Sequence, residues 1–213
     1  MLRSAVGPLS FDRGPLVPVV AYLLTVTALA AYALGGLAGF EPAASRVVAH
    51  PLPYLAALAS ALLFTAVPAD LFFRAYLQSK VTLLVGGRPR RAAVIGVVVA
   101  AVLFALFHLP RWFLVVGHGV GGALAGRLVE LAIIGLAYGT VYALSGNLWV
   151  VALLHATMNQ PPALVAGHVP PGLVLPSLVA EFGGAVALVA VATRFGDESG
   201  LSFPGASAAD PGK

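Results

Sequence analysis

The sequence predicts an all-α, polytopic membrane protein, a single helical bundle of about six transmembrane helices. Three observations carry this. Of 213 residues, 60% are hydrophobic and 9% charged, where a soluble domain carries roughly 25% charged residues. Mean hydropathy is +0.96. The apolar residues fall in runs long enough for a hydrocarbon core of about 30 Å, and most basic residues lie in the short segments between them.

The first run, Pro15 to Phe40, is too long for a signal-peptide core and has no small-x-small cleavage site ahead of a polar domain, so it reads as a retained helix. Together with it, spans are expected near 16–40, 52–79, 92–115, 127–144, 148–165 and 173–193. Between the fourth and fifth stands only "SGN" at 145–147, a turn signal that makes them an antiparallel hairpin. Residues 1–195 form one transmembrane domain. The stretch 196–213, "GDESGLSFPGASAADPGK", is rich in small and polar residues and reads as a disordered tail.

Charge gives the orientation. With both termini inside, the inner segments hold Arg3, Arg13, Lys80, Arg88, Arg90, Arg91, Arg194 and Lys213. The outer segments and span ends hold Arg46, Arg111 and Arg127, and Arg74 lies within a span. This excess of basic residues on one side favours both termini inside. The same distribution accounts for the formal charge of +4 without a nucleic-acid partner; the expected surroundings are a lipid bilayer. The chain has no cysteine, which excludes disulfides, thiolate zinc sites and cysteine nucleophiles together. No internal repeat, heptad or nucleotide-binding loop is visible.

Polar residues inside the spans need partners and usually have a job. Asp70 and Arg74, in "AVPADLFFRAYLQSK", are four apart on the second span and share a helix face, so they are expected to form a buried salt bridge. By itself that pair reads as structural, since buried charges are paired. His108, in "LFALFHLP", lies in the outer half of the third span. His155 and Asn159, in "LWVVALLHATMNQPP", stand at i and i+4 on the fifth, a spacing that aims both at one target. The double proline at 161–162 is expected to end or kink that helix just after Asn159.

Counting about 1.5 Å per residue from the inner ends puts Asp70 about 15 Å deep, His155 about 10 Å, Asn159 about 16 Å and His108 about 24 Å. Three helices thus bring an acid, an arginine, two histidines and an amide to comparable depths. Such a conjunction points to one buried polar site. Arg127 and Glu130 near an outer end read as an interfacial pair. His50, His118 and His168, beside proline or glycine in outer loops, read as solvated.

In this order the three motifs resemble those of the CPBP intramembrane protease family, which includes the type II CAAX prenyl endopeptidases and the bacteriocin-processing or immunity proteins called Abi. The family pattern is Glu-Glu-x-x-x-Arg, then Phe-x-x-x-His, then His-x-x-x-Asn, each on its own membrane helix. Here "ADLFFR" stands at the first motif, "FALFH" (Phe104 to His108) at the second and "HATMN" (His155 to Asn159) at the third. The contexts "LFFRAYLQ" and "SGNLWVVALLH" are similar too, and the resemblance covers about residues 55–165.

The resemblance implies an intramembrane endopeptidase acting on a hydrophobic peptide or membrane-protein substrate, in a prokaryotic cytoplasmic membrane. In the family the first Glu activates the hydrolytic water with the second-motif histidine, and the second Glu pairs with the arginine. The third-motif His and Asn stabilise the oxyanion, or help to bind metal in the metalloprotease description. Arg74 sets the register, so Asp70 takes the second Glu position and Ala69 the first; Ala75 replaces the glycine that commonly follows the arginine. The frame of the site is kept and its principal base is missing.

Peptide hydrolysis needs an activated water and a stabilised tetrahedral oxyanion. His155 and Asn159 can donate to an oxyanion, while His108 can act as a base or a metal ligand. If His108 and His155 held Zn²⁺, one acid would complete a two-histidine–carboxylate site, and Asp70 is the acid available on the motif helices. Three hypotheses follow: an endopeptidase in which Asp70 or Glu130 replaces the missing Glu, a pseudoprotease acting as a membrane scaffold or regulator, and a small transporter. The last has no motif or repeat behind it.

Overall fold

A computed structural model of the chain describes residues 49–161 and 174–196. Among the described residues all regular structure is helical and no strand occurs. The elements are α1 (Pro51–Val85), α2 (Pro89–Val115), α3 (Gly122–Ser145), α4 (Leu148–Asn159) and α5 (Val174–Gly196). The first three are long and apolar enough to cross a membrane. The span expected at 16–40 and the tail beyond Gly196 lie outside the described residues.

Helix boundaries follow local chemistry. α1 runs past its expected end near residue 79 and stops at Gly86, whose φ of 58° suits only glycine without strain. The "SGN" turn is present between α3 and α4. Gly146 takes a left-handed φ of 61° and its amide donates to the Tyr142 carbonyl at 2.8 Å. Asn147 then caps α4, its Oδ1 accepting from the Trp149 amide at 2.9 Å.

α4 is shorter than the expected 148–165. It ends at Asn159, and Gln160 leaves the helix with φ −132° and ψ 76°. Gln160 precedes Pro161, and the proline ring disfavours helical geometry in the residue before it. Twelve residues reach only about 18 Å, so the third-motif helix falls short of a full span.

α1 has the opposite character. Its 35 residues would reach about 52 Å as an ideal helix, well beyond a hydrocarbon core of about 30 Å. Two stretches are widened to π geometry, Leu62–Ala66 and Leu71–Gln78. The first lies one turn ahead of Pro68, where widening relieves the clash between the ring and the carbonyl four residues earlier. The second contains Arg74, and π insertions inside α-helices recur at functional sites.

The core is built where α1, α2, α3, α4 and α5 meet, around Phe73, Phe104, Ile134, Tyr138, Leu154 and Phe182. Outward-facing side chains such as Phe64, Leu83 and Leu114 are 78%, 79% and 83% exposed, as lipid-facing residues are. Small residues let the helices approach closely. A Cβ on Gly135 would lie 3.0 Å from the Ala101 Cα, and one on Gly96 would lie 2.9 Å from the Gln78 carbonyl and collide with the Thr82 hydroxyl. Gly96→Val is therefore expected to lower stability by about 1–3 kcal/mol through overpacking, read as a lower melting temperature in detergent. An unchanged melting temperature would show that α1 and α2 can separate freely.

Candidate active site

Asp70 stands immediately before the second π segment of α1 and Arg74 lies within it, and both are fully buried. The expected pair exists: Arg74 Nε lies 3.7 Å from Asp70 Oδ1. That is an ion pair by charge but too long for a hydrogen bond. None of the three guanidinium nitrogens makes a hydrogen bond to a described residue. The cation instead lies against two aromatic rings, 5.2 Å from the Phe104 centroid and 5.9 Å from that of Tyr138. Each such contact contributes about 0.5–2 kcal/mol, more when desolvated.

Asp70 reaches across to α4 with its other oxygen. Oδ2 lies 3.1 Å from His155 Nδ1, an imidazole 7% exposed. A carboxylate oxygen accepts, so Nδ1 carries the proton and Nε2 keeps its lone pair. The His155 ring lies 5.1 Å from that of Tyr138, tilted by 30°, and meets Phe104 edge-to-face at 5.8 Å. Asp70, Arg74 and His155 are thus drawn together by two aromatic walls.

His108 sits where α2 breaks. Its amide bonds three residues back to the Ala105 carbonyl, a tightened turn just ahead of Pro110, which has no N–H to continue the ladder. His108 Nδ1 donates to the Phe104 carbonyl at 2.8 Å, leaving Nε2 free. Its ring contacts Phe104 at 4.9 Å. One phenyl ring therefore touches both motif histidines.

Asn159 behaves differently from its expected role beside His155. It is exposed at the last turn of α4 and its amide donates to the His155 carbonyl at 3.3 Å. Glu130 accepts from Arg127 at 2.7 Å, as expected of an interfacial pair. Ala69 is half-buried and packs against the main core. Among the described residues no three histidine, aspartate or glutamate side chains cluster to hold a metal ion. Asp70 bonds His155 Nδ1 and makes no three-residue cluster with His108 and His155 among the described residues.

Several contributors escaped the sequence reading. Tyr138, fully buried, lies against Arg74 and His155, and its hydroxyl donates to Met158 Sδ at 3.2 Å. Gln78 is buried and donates to the Gly139 carbonyl at 3.0 Å, tying α1 to α3. Glu181 is half-buried in α5 beside Phe182, which meets Tyr138 edge-to-face at 5.7 Å. For Glu181 the signal was present, an acid inside a long apolar run. For Tyr138 it was not, since one tyrosine in a membrane helix looks like any other.

No curated protein and no solved structure matches the chain. The family model of the Rce1-like type II CAAX prenyl endopeptidases matches residues 51–160, a stretch that runs from the start of α1 to the break after α4 and takes in all three motifs. The chain belongs to the Rce1-like type II CAAX prenyl endopeptidase family.

Proposed function

We propose that the protein is an intramembrane endopeptidase that cleaves peptide bonds in membrane-associated or lipophilic peptides, with His155 as its base. The bundle has about six spans in a prokaryotic cytoplasmic membrane, with both termini inside. The observation that carries the reading is the buried Asp70–His155 contact at 3.1 Å. A carboxylate on Nδ1 holds the imidazole in one tautomer and orientation, leaves Nε2 to meet the water, and stabilises the imidazolium that forms in the reaction. Nε2 takes a proton from water, the hydroxide adds to the scissile carbonyl, and the tetrahedral oxyanion collapses as the proton passes to the leaving amine. Arg74 lies 3.7 Å from Asp70 Oδ1 without competing with His155 for a hydrogen bond. The Asn159 amide is the donor available to the oxyanion, while His108, whose Nδ1 proton is held by the Phe104 carbonyl, offers Nε2 as an acceptor.

A second reading has one specific observation behind it. Alanine stands where the family carries its water-activating Glu, and Asp70 is sealed from solvent. A pseudoprotease that binds membrane segments as a scaffold or immunity protein would keep this frame without turnover. Cleavage of quenched lipophilic peptides separates the two. Asp70→Asn is expected to reduce cleavage by about 10²–10⁴-fold, the usual weight of general-base catalysis, with the bundle still folded. Cleavage that survives in a His108→Ala, His155→Ala double variant would remove this site assignment.

A further inference from the structure

Two tyrosine hydroxyls from different helices hold the end of α4. Tyr54, buried near the start of α1, donates to the Gln160 carbonyl at 3.1 Å. Tyr138, fully buried in α3, donates to Met158 Sδ at 3.2 Å. Both bonds fall where α4 stops, and a helix end is where carbonyls lose their intrahelical partners and the backbone frays. Two packed faces lead up to them. Ala152 and Ala156, neither of them exposed, pack with Ala66 of α1. His155 and Met158, three apart and so on one side of the helix, meet the ring and the hydroxyl of Tyr138. Asn159 comes four residues after His155 and three after Ala156, between the two held faces. Its own amide reaches the His155 carbonyl at 3.3 Å, longer than a well-formed N–H···O bond and too weak to fix the side chain.

The geometry points to Tyr54 and Tyr138 as positioning residues, two phenol clasps that hold the last turn of α4 so that Asn159 meets the tetrahedral oxyanion. The inference rests on the hydrolysis proposed above. A donor to an oxyanion has to be held within about 0.5 Å of its productive place, because a dipole oriented beforehand costs no reorganisation when the charge develops. α4 cannot supply that rigidity alone, since Asn159 is its final residue. The clasps borrow it from α1 and α3, two of the long helices. The two are unequal. A carbonyl is a good acceptor and a thioether a weak one, so the Tyr54 clasp carries the larger share.

The test compares Tyr54→Phe, Tyr138→Phe and Met158→Leu with the unsubstituted full chain in detergent. The phenylalanines keep the ring packing, and Met158→Leu removes the Tyr138 bond from its other side at nearly constant volume. Backbone amide exchange at 156–160, where the Gln160 amide donates to the Ala156 carbonyl at 2.9 Å, is expected to quicken about tenfold through local opening, with exchange in α2 unchanged. On quenched lipophilic peptides kcat should fall about tenfold while KM stays within about twofold. Asn159→Ala should itself lower kcat by about 10²-fold, as loss of an oxyanion donor does, and adding Tyr54→Phe to it should cause no further fall. A merely structural loss would add in full. Unchanged exchange in all three variants overturns the inference, as does full additivity with Asn159→Ala or a rise in KM at constant kcat. The failure of the hydrolase looks different: exchange quickens in a protein that cleaves nothing, which upholds the clasps and removes the reaction they serve.

Discussion

Replacing Arg74 by alanine is expected to cost about 3–5 kcal/mol of stability, enough to lose most folded protein in detergent. The reason is the asymmetry of buried ion pairs. Removing one partner leaves the other charge desolvated and uncompensated, which is far worse than never having had the pair. Asp70 is fully buried, and its compensation comes from Arg74 at 3.7 Å and His155 at 3.1 Å. Loss of the guanidinium also empties the space between Phe104 and Tyr138, adding a cavity to the electrostatic loss. Asp70→Asn alone should be milder, because the cation keeps its ring contacts. An Arg74→Met, Asp70→Asn double variant should recover most of the stability lost by Arg74→Ala, since a neutral, filled site carries no desolvated charge. Thermal unfolding of these proteins, with the Arg74→Met single variant added to close the cycle, gives the coupling. If Arg74→Ala melts with the unsubstituted protein, Arg74 reaches water and the buried site as described does not exist.

The same residues show what a sequence can and cannot say here. Asp70, Arg74 and His155 were legible because a charge or an imidazole in an apolar run must find a partner, and spacing in a helix says which face it searches. The break after Asn159 was legible because proline constrains its neighbour, although the helix it ends proved too short to cross. What spacing could not supply was the identity of the partners between helices. His155 and Asn159 lie four apart, yet one is buried against Asp70 and the other is exposed, because the helix runs out within one turn. The π widening around Arg74 was also hidden: it shifts the register by a residue without any change in composition. Tyr138 takes its role from where α3 happens to cross α1 and α4, a property of packing and not of local pattern.

Ala69→Glu is expected to raise peptide cleavage by about 10²–10⁴-fold, the range of a well-placed general base. Ala69 immediately precedes Asp70, about 100° around the helix, and it is half-buried. A glutamate there can keep its carboxylate in contact with water while its stem covers the core, so the desolvation that burdens Asp70 does not apply in full. The gain should vanish in Ala69→Glu, His155→Ala, because the new acid activates water while His155 still has to pass a proton to the leaving amine. The melting temperature should move little, since the substitution adds a partly exposed charge and leaves the Asp70–Arg74 pair intact. Measured with the same lipophilic peptides, the outcomes divide cleanly. A large gain with slow cleavage already present beforehand means that His155 held by Asp70 is a weak base doing the work of a missing one. A large gain from no activity at all means a pseudoprotease that lost one carboxylate and kept everything else. No gain in a folded variant means that the α1 face carrying residue 69 does not meet the substrate, and the base must be sought from α4.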